Sequence, residues 1–124
     1  VVDSCRNWKY YYNLNNPFEG LEFVSREGKI RKVTVMGERP DSIAMEVLRP
    51  YHTKRKDSSV YIRANYDLKG EMRFLEVGLP ANVDIPIQVI EELENRVKKE
   101  SYLKLDYDPE RSKGVNYIQL VWMY

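Results

Sequence analysis

The residues that could do chemistry in this chain are few and lie far apart in the sequence. Among its 124 residues there is one cysteine, Cys5, and one histidine, His52. A nucleophile and its base must lie within hydrogen-bond reach of each other, and a lone histidine supplies no pair for a metal. A small hydrolase using Cys5 or His52 is therefore an alternative that depends on long-range folding. An ordinary thiol near the start of the chain and a solvated histidine are the favoured interpretation.

Two charged clusters offer only weak ligand sites. Asp106, Asp108 and Glu110 alternate like part of a calcium loop, but the glycine and the final bidentate glutamate of an EF-hand are missing at their offsets. The run Lys54-Arg55-Lys56 is basic, but three charges hold phosphate weakly. Solvated loops are favoured for both. With a net charge of +1 and no Gly-rich phosphate loop, the sequence predicts no metal, no cofactor and no nucleic-acid partner.

Aromatic residues are the least ordinary feature. The chain has ten tyrosines and two tryptophans, more than a core of this size needs, because tyrosine hydroxyls require partners or water. Exposed rings could stack on sugars or on a protein. The alternative is that they form cross-strand pairs on a sheet face. The candidate binding residues are Trp8, Tyr10 and Tyr12, within a predicted edge strand over 7–12 that ends in turn residues 13–17.

The elements that must position these residues centre on the stretch 59–99. Residues 60–66 alternate in polarity with the period of two of a half-buried strand. Asp67 and Gly70 occupy the first and fourth positions of a type I turn, with Gly70 free to take a positive φ. A return strand over 71–77 completes a predicted hairpin.

An amphipathic helix over 84–100 follows this hairpin. Pro80 ends the return strand, Asp84 is a good N-cap, and Pro86 is tolerated in a first turn. Apolar residues recur at helical spacing on one face: Ile85, Val89, Ile90, Leu93 and Val97. Acidic residues come early and basic residues late, as the helix dipole favours.

An earlier hairpin is predicted over 21–25 and 29–36, joined by a turn at Gly28. It is a plausible copy of the central one, since Gly28 aligns with Gly70 in register with the flanking strands. The repeat halves on this interpretation are 20–50 and 59–100.

The segment 41–49 is open to two interpretations. Asp41 could cap a short helix that Pro50 ends, which would complete the first repeat. Alternation of Ile43, Met45 and Val47 also fits a strand. The helix is the favoured interpretation.

The end of the chain is predicted as a short extension over 102–107, a loop at 108–114, and a closing strand over 115–124. The closing strand is apolar on both faces, which indicates a central or covered position. The predicted fold is α+β: an antiparallel sheet of five or six strands with one main amphipathic helix, 84–100, packed on one face. All of it forms one domain, 1–124.

The C-terminal half resembles the C-terminal domain of TonB. The matching stretches are the run from Val60 to Met72, with its Asp-Leu-Lys-Gly turn, and Pro109 with Lys113-Gly114. The resemblance covers Ser59 to Tyr124 and implies a helix on a three-stranded antiparallel sheet in the envelope of a Gram-negative bacterium. TonB proteins carry a membrane anchor and a Pro-rich spacer before this domain, whereas the preceding half here looks folded. The resemblance thus favours a secreted or periplasmic relative over an energy transducer.

Composition is that of a globular protein, with 43% apolar and 31% charged residues and no apolar run of about 18 residues that could span a bilayer. The start at Val1, without Met or an apolar leader, favours a processed product. The expected function is that of a non-enzymatic secreted or periplasmic envelope protein. It would bind a protein or glycan partner through an aromatic sheet face or an edge strand. A structural subdomain of an assembly, or a homodimer formed through the sheet, is a further alternative.

Overall fold

The computed structural model describes residues 2–5, 7–23, 26, 29–51, 60–81 and 83–123. At Asp3 and Cys5 it describes the backbone only. The elements in chain order are β1 (Val2–Cys5), β2 (Trp8–Tyr12), β3 (Ile30–Gly37), α1 (Pro40–Leu48), β4 (Tyr61–Tyr66), β5 (Met72–Pro80), α2 (Ile87–Glu100), β6 (Ser101–Tyr107) and β7 (Ile118–Met123). The predicted α+β class is confirmed.

The strands form two antiparallel sheets. The main sheet has five strands in the order β1-β2-β5-β4-β7, and β3 pairs with β6 in a separate two-stranded sheet. The predicted central hairpin is confirmed as β4–β5, with Gly70 at φ 92° in its turn. Strand β2, predicted at an edge, instead lies between β1 and β5, because the short β1 pairs with it from outside.

The core lies between the main sheet and the two helices. Helix α2 packs on β5 and β6, and α1 packs on β4 and on α2. We call the helix-covered side of the main sheet the inner face and its opposite side the outer face. The inner face and the helices supply most of the buried apolar side chains, among them Ile43, Leu48, Ile62, Ala64, Tyr66, Leu75, Val77, Leu79, Leu93 and Val97.

Helix α2 begins later than predicted. Pro86 occupies the N-cap position in an extended conformation, and Ile87 is the first helical residue. The predicted cap Asp84 instead pairs with Lys9 of β2. A proline disfavours helical backbone at the residue before it, so Ile85 cannot be helical and the helix cannot begin at residue 84. The predicted end at residue 100 is confirmed, and Ser101 continues directly into β6.

Residues 40–48 form helix α1, which confirms the favoured interpretation of this segment. Its N-cap is Arg39, with Pro40 in the first helical position. The predicted cap Asp41 lies inside the first turn, where it forms an ion pair with Arg39. The cap assignment was therefore wrong, and Pro40 is the residue that fixes the start.

The predicted first hairpin is wrong. Strand β3 pairs with β6 from Ile30 opposite Tyr107 to Gly37 opposite Ser101, and residues 21–23 form no strand. Residues 24, 25, 27 and 28 of that hairpin lie outside the described residues. The pairing buries apolar side chains of both strands against each other, since Val33 lies opposite Leu105 and Val35 opposite Leu103. The proposed repeat halves stay a prediction.

Two glycines bring the small sheet against the rest of the fold. A Cβ at Gly70 would lie 2.0 Å from the carbonyl oxygen of Leu103, and one at Gly37 would lie 2.1 Å from that of Glu100. Both glycines have positive φ. The Leu103 N–H donates to the Gly70 carbonyl at 2.8 Å, and the Glu38 N–H donates to that of Glu100 at 2.9 Å. Any side chain at these positions would collide with the backbone around β6.

The closing strand lies at an edge. Within the described residues β7 pairs only with β4, and its outer-face side chains Val121 and Met123 are 49% and 62% exposed. The prediction of a central or doubly covered strand was therefore wrong. Its inner-face residues Leu120 and Trp122 do pack against the core. A strand with apolar residues at both even and odd positions can therefore expose one of its two apolar rows to solvent.

Candidate binding face

The three predicted aromatic residues lie together on the outer face. Trp8, Tyr10 and Tyr12 occupy alternate positions of β2, and Tyr11 between them is buried in the core opposite Val77. Because successive strand residues point to opposite sides, the three rings share the side away from the helices. All three are half-buried. They form one row along the strand, which we call the aromatic row.

A glycine lets the aromatic row meet a ring from β4. Gly78 of β5 lies between Tyr10 and Tyr61 in the sheet register. The two tyrosine rings meet edge-to-face across it, with centroids 6.2 Å apart. A Cβ on Gly78 would lie only 3.1 Å from Tyr10 Cε1 and 3.2 Å from Tyr61 Cβ. The missing side chain therefore makes room for this ring pair.

Next to that ring pair, an ion pair lies among aromatic rings. Arg63 Nη2 of β4 is 3.3 Å from Glu76 Oε2 of β5, which lies opposite Tyr12 of β2. The Arg63 guanidinium carbon is 5.8 Å from the centroid of the Phe74 ring, a cation–π contact. Phe74 also contacts Tyr12, with centroids 6.4 Å apart. The Arg63 Nε–H is buried without an acceptor among the described residues.

These groups border a cleft of about 590 Å³ at the Tyr12 end of the outer face. We call it the outer cleft. It is lined by Tyr10, Tyr12, Asn13, Leu14, Asn16, Glu19, Arg63, Phe74 and Glu76. Its walls combine aromatic rings, amides, the Arg63–Glu76 ion pair and the carboxylate of Glu19. That mixture suits a polar ligand that also has apolar faces.

The segment that follows β2 forms one wall of the outer cleft. The Asn13 and Asn16 side-chain oxygens accept backbone N–H groups two residues on, both at 2.9 Å, which confirms the predicted turn. Farther along, the Phe18 ring packs on Tyr117 with centroids 4.8 Å apart. Asn116 Nδ2 donates to the Glu22 carbonyl at 2.9 Å. The segment thus leads from β2 to the β7 side of the sheet.

The surroundings on the outer face shift the pKa of one tyrosine, Tyr61. Burial raises the pKa of Tyr61 above its ordinary value, and nearby Arg63 partly offsets that rise. Its phenol is therefore a neutral hydrogen-bonding group at physiological pH. Among the residues that the structure describes, no group of three or more His, Cys, Asp or Glu side chains is placed to hold a metal ion.

The remaining predicted site residues are elsewhere or undescribed. His52 and Lys54-Arg55-Lys56 lie outside the described residues, and Cys5 is placed in β1 without a described side chain. The alternative of a hydrolase stays a prediction. In the acidic loop, Asp108 Oδ1 accepts the Glu110 N–H at 2.9 Å, and Glu110 lies 3.1 Å from Lys113. These carboxylates therefore serve a turn and an ion pair.

The β4 and β5 members of the face are not among the binding residues predicted from the sequence. Tyr61 and Arg63 are the polar positions of the predicted first strand of the hairpin, and Glu76 lies in its second strand. The turn at Asp67 sets the register that places Arg63 opposite Glu76. The sequence of the hairpin therefore carried a signal for these members of the face. The hairpin sequence does not indicate the role of Gly78, because that role depends on packing against Tyr10, which belongs to a distant strand.

The described elements define an α+β protein with an aromatic outer sheet face. No protein-family model matches the chain, and no curated protein shows a significant match. Its fold is similar to the crystal structure of a DUF5043 family protein from Bacteroides uniformis ATCC 8492, with a TM-score of 0.59. The two are 16% identical, and the likeness covers 95% of this chain and 78% of that one. At this identity the likeness shows the fold alone. No helix in the described ranges is long and apolar enough to cross a membrane.

Proposed function

We propose that this chain is a non-enzymatic binding protein that holds a protein or glycan partner against its outer face. The observation that carries the proposal is the aromatic row, in which Trp8, Tyr10 and Tyr12 share one side of β2 and remain partly accessible. Tyrosine and tryptophan supply large contact areas at low conformational cost, and they dominate many recognition surfaces.

The spacing of the row favours an extended ligand. Alternate residues of a strand lie about 7 Å apart, so three rings cover about 14 Å along β2. A glycan chain or an extended peptide can contact all three rings at once. Each phenol can also hydrogen-bond a hydroxyl or an amide of the ligand.

The outer cleft adds polar selectivity at one end of the row. Among the described residues that line the cleft, Arg63 is the one arginine, and it is already paired with Glu76, so a ligand anion would have to displace a carboxylate. The amides of Asn13 and Asn16 also border the cleft. Neutral polar groups such as sugar hydroxyls or peptide amides fit this lining better than phosphates do.

The setting of this function is part of the proposal. The proposed location is periplasmic or secreted in a Gram-negative bacterium. This location stays a prediction, because it rests on the resemblance to the TonB C-terminal domain. Binding through an edge strand, including a homodimer through the sheet, has two candidate edges in the main sheet as described, β1 and β7.

The test begins with ligand selection on a glycan array and a displayed peptide library. The chosen ligand is then titrated calorimetrically against the wild type, Tyr10→Ala and Tyr12→Ala. We expect each ring deletion to weaken binding about tenfold or more, the range of a recognition anchor. Tyr102→Ala is the matched control, because Tyr102 is an exposed tyrosine on β6, outside the main sheet. It should bind like the wild type.

Thermal unfolding of each variant separates binding from folding. If Tyr10→Ala binds as tightly as the wild type, or if the loss appears equally in Tyr102→Ala, the outer face is not the binding surface. If Tyr10→Ala unfolds, Tyr10→Phe replaces it, because phenylalanine keeps the ring. Retained binding in Tyr10→Phe would assign the contact to the ring face. Loss of binding in a folded Tyr10→Phe would assign it to the hydroxyl. Arrays and libraries that yield no ligand would count against the proposal.

A further inference from the structure

A second cleft lies on the opposite side of the main sheet, between β2 and α2. We call it the helix-side pocket. Its volume is about 360 Å³, within the range of small-molecule sites. It is lined by Tyr11, Tyr12, Asn13, Leu14, Asn15, Leu75, Val77, Ile87, Ile90, Glu91 and Glu94. It lies on the other side of the sheet from the outer cleft, and among the described lining residues the two clefts share Tyr12, Asn13 and Leu14.

The pocket follows from the way the helices cover the sheet. Helices α1 and α2 pack over β4 and β5, so the inner side of β2 lies beyond the edge of α2. The buried side chains of Tyr11, Leu75 and Val77 contribute to the lining. Leu14, in the wall that follows β2, is 73% exposed, and Ile87, in the wall formed by α2, is 40% exposed. An apolar concavity flanked by exposed aliphatic side chains gains free energy when an apolar group fills it.

The charge of the lining selects the polar part of the occupant. Among the described residues that line the pocket, Glu91 and Glu94 are the only charged ones. Lys98 lies 3.3 Å from Glu94 and offsets its charge, which leaves the exposed carboxylate of Glu91. The start of α2 contributes only about half a positive charge. Lys9, on the inner side of β2, is paired with Asp84. A positive group therefore complements the pocket.

We propose that the helix-side pocket binds a small amphiphilic cation. The apolar chain or ring of this ligand contacts the aliphatic walls at Leu14, Ile87 and Ile90, and its ammonium group lies beside the Glu91 carboxylate. Ile87, Ile90 and Glu91 line the helix-side pocket and do not line the outer cleft, so changes at these residues test this site separately from partner binding on the outer face.

The test compares three probes of one chain length and different charge: n-octylammonium, n-octanol and n-octanoate. Titrations are followed by methyl NMR spectra of the labelled protein, with the Ile87, Ile90 and Leu14 methyls as reporters. We expect saturable shifts with octylammonium and binding about tenfold tighter than that of octanoate, because one charge is attracted by Glu91 and the other repelled. Octanol should lie between them.

Two variants and a matched control locate the site. Glu91→Gln should reduce the preference for the cation severalfold, whereas Glu92→Gln should leave it unchanged, because Glu92 is exposed on the same helix but does not line the pocket. Ile87→Trp should abolish binding by filling the mouth. Since Ile87 is partly exposed, this variant should keep the fold, which its NMR spectrum checks.

The proposal would be overturned by equal affinity for octylammonium and octanoate, by binding that survives Ile87→Trp, or by the absence of saturable shifts at the three reporter methyls. Equal effects of Glu91→Gln and Glu92→Gln would also refute it, because they would show a general charge effect of the helix surface.

Discussion

Replacing Gly70 with alanine tests whether close backbone contact fixes the position of β6. Gly70 has φ 92°, and an added Cβ would lie 2.0 Å from the Leu103 carbonyl oxygen. The Leu103 N–H donates to the Gly70 carbonyl at 2.8 Å. A backbone carbonyl cannot rotate away as the tip of a side chain can. The start of β6 must therefore move, and this hydrogen bond must lengthen or break.

The expected cost has three parts. Left-handed backbone costs a residue with a Cβ about 1–2 kcal/mol. Loss of one net hydrogen bond costs about 1 kcal/mol. Displacement of a well-packed strand costs about 1–3 kcal/mol. Together these lower the free energy of unfolding by about 3–6 kcal/mol, a large part of the about 5–15 kcal/mol that stabilises a typical domain.

Gly20 provides the matched control. It also has a positive φ, 81°, but an added Cβ there would meet nothing within 4 Å. Gly20→Ala should therefore cost only the backbone part, about 1–2 kcal/mol. Urea denaturation of both variants gives the two free energies from the midpoints and slopes. A cost for Gly70→Ala no larger than that for Gly20→Ala would refute the close-contact argument.

Three further predictions concern buried and paired polar groups. Tyr66 Oη and Ser101 Oγ share a buried hydrogen bond of 2.9 Å, so Tyr66→Phe should lower the free energy of unfolding by about 1–3 kcal/mol in urea, and an unchanged value would contradict this. Burial raises the pKa of Tyr66 above 10.0, so stability should be full below pH 10 and fall as the pH rises through the folded pKa, less steeply in Tyr66→Phe. Hydrogen bonding to Arg96 holds the pKa of Glu100 below 4.5, so the stability from this pair is present above that pH and lost below it. Glu100→Gln should accordingly lower the urea midpoint at neutral pH but not in strong acid, and an equal effect at both would count against the pair.

The parts of the fold that could be predicted are those that local chemistry determines. In the turn of the β4–β5 hairpin, Asp67 Oδ1 accepts the N–H groups of Lys69 and Glu71 at 2.9 and 3.0 Å. Such bonds join residues only a few positions apart in the sequence, so the residue types alone indicate them. The amphipathic spacing of α2 is equally local. Only its first turn was misplaced, by the restriction that Pro86 imposes.

The predictions that were wrong concern strands whose pairing partners lie far away in the sequence. Alternation in 29–36 indicates a strand but does not say which strand pairs with it. The partner is β6, about 70 residues away, whereas the sequence favours the nearer segment 21–25, because a hairpin needs only a turn. Strand β1 was missed for a related reason. Its four residues are too few for a periodic pattern, and it is a strand by virtue of pairing with β2.

The candidate site was predictable in composition but not in geometry. An excess of aromatic residues pointed to Trp8, Tyr10 and Tyr12, and the observed pairing of β2 placed them on one face. The helix-side pocket had no sequence signal. It arises because two helices do not cover all five strands, which depends on the width of the assembled sheet.

The alternation of β2 links the two proposed sites and also separates them. Tyr10 and Tyr12 belong to the outer face, whereas Tyr11 between them contributes to the lining of the helix-side pocket. This separation is lost at the end of the strand, because Tyr12, Asn13 and Leu14 line both clefts. A change at Leu14 therefore cannot tell the two sites apart, whereas changes at Tyr10 and at Ile87 can. If a change at Ile87 weakened partner binding on the outer face, the shared wall at Asn13–Leu14 would be the physical route between the sites.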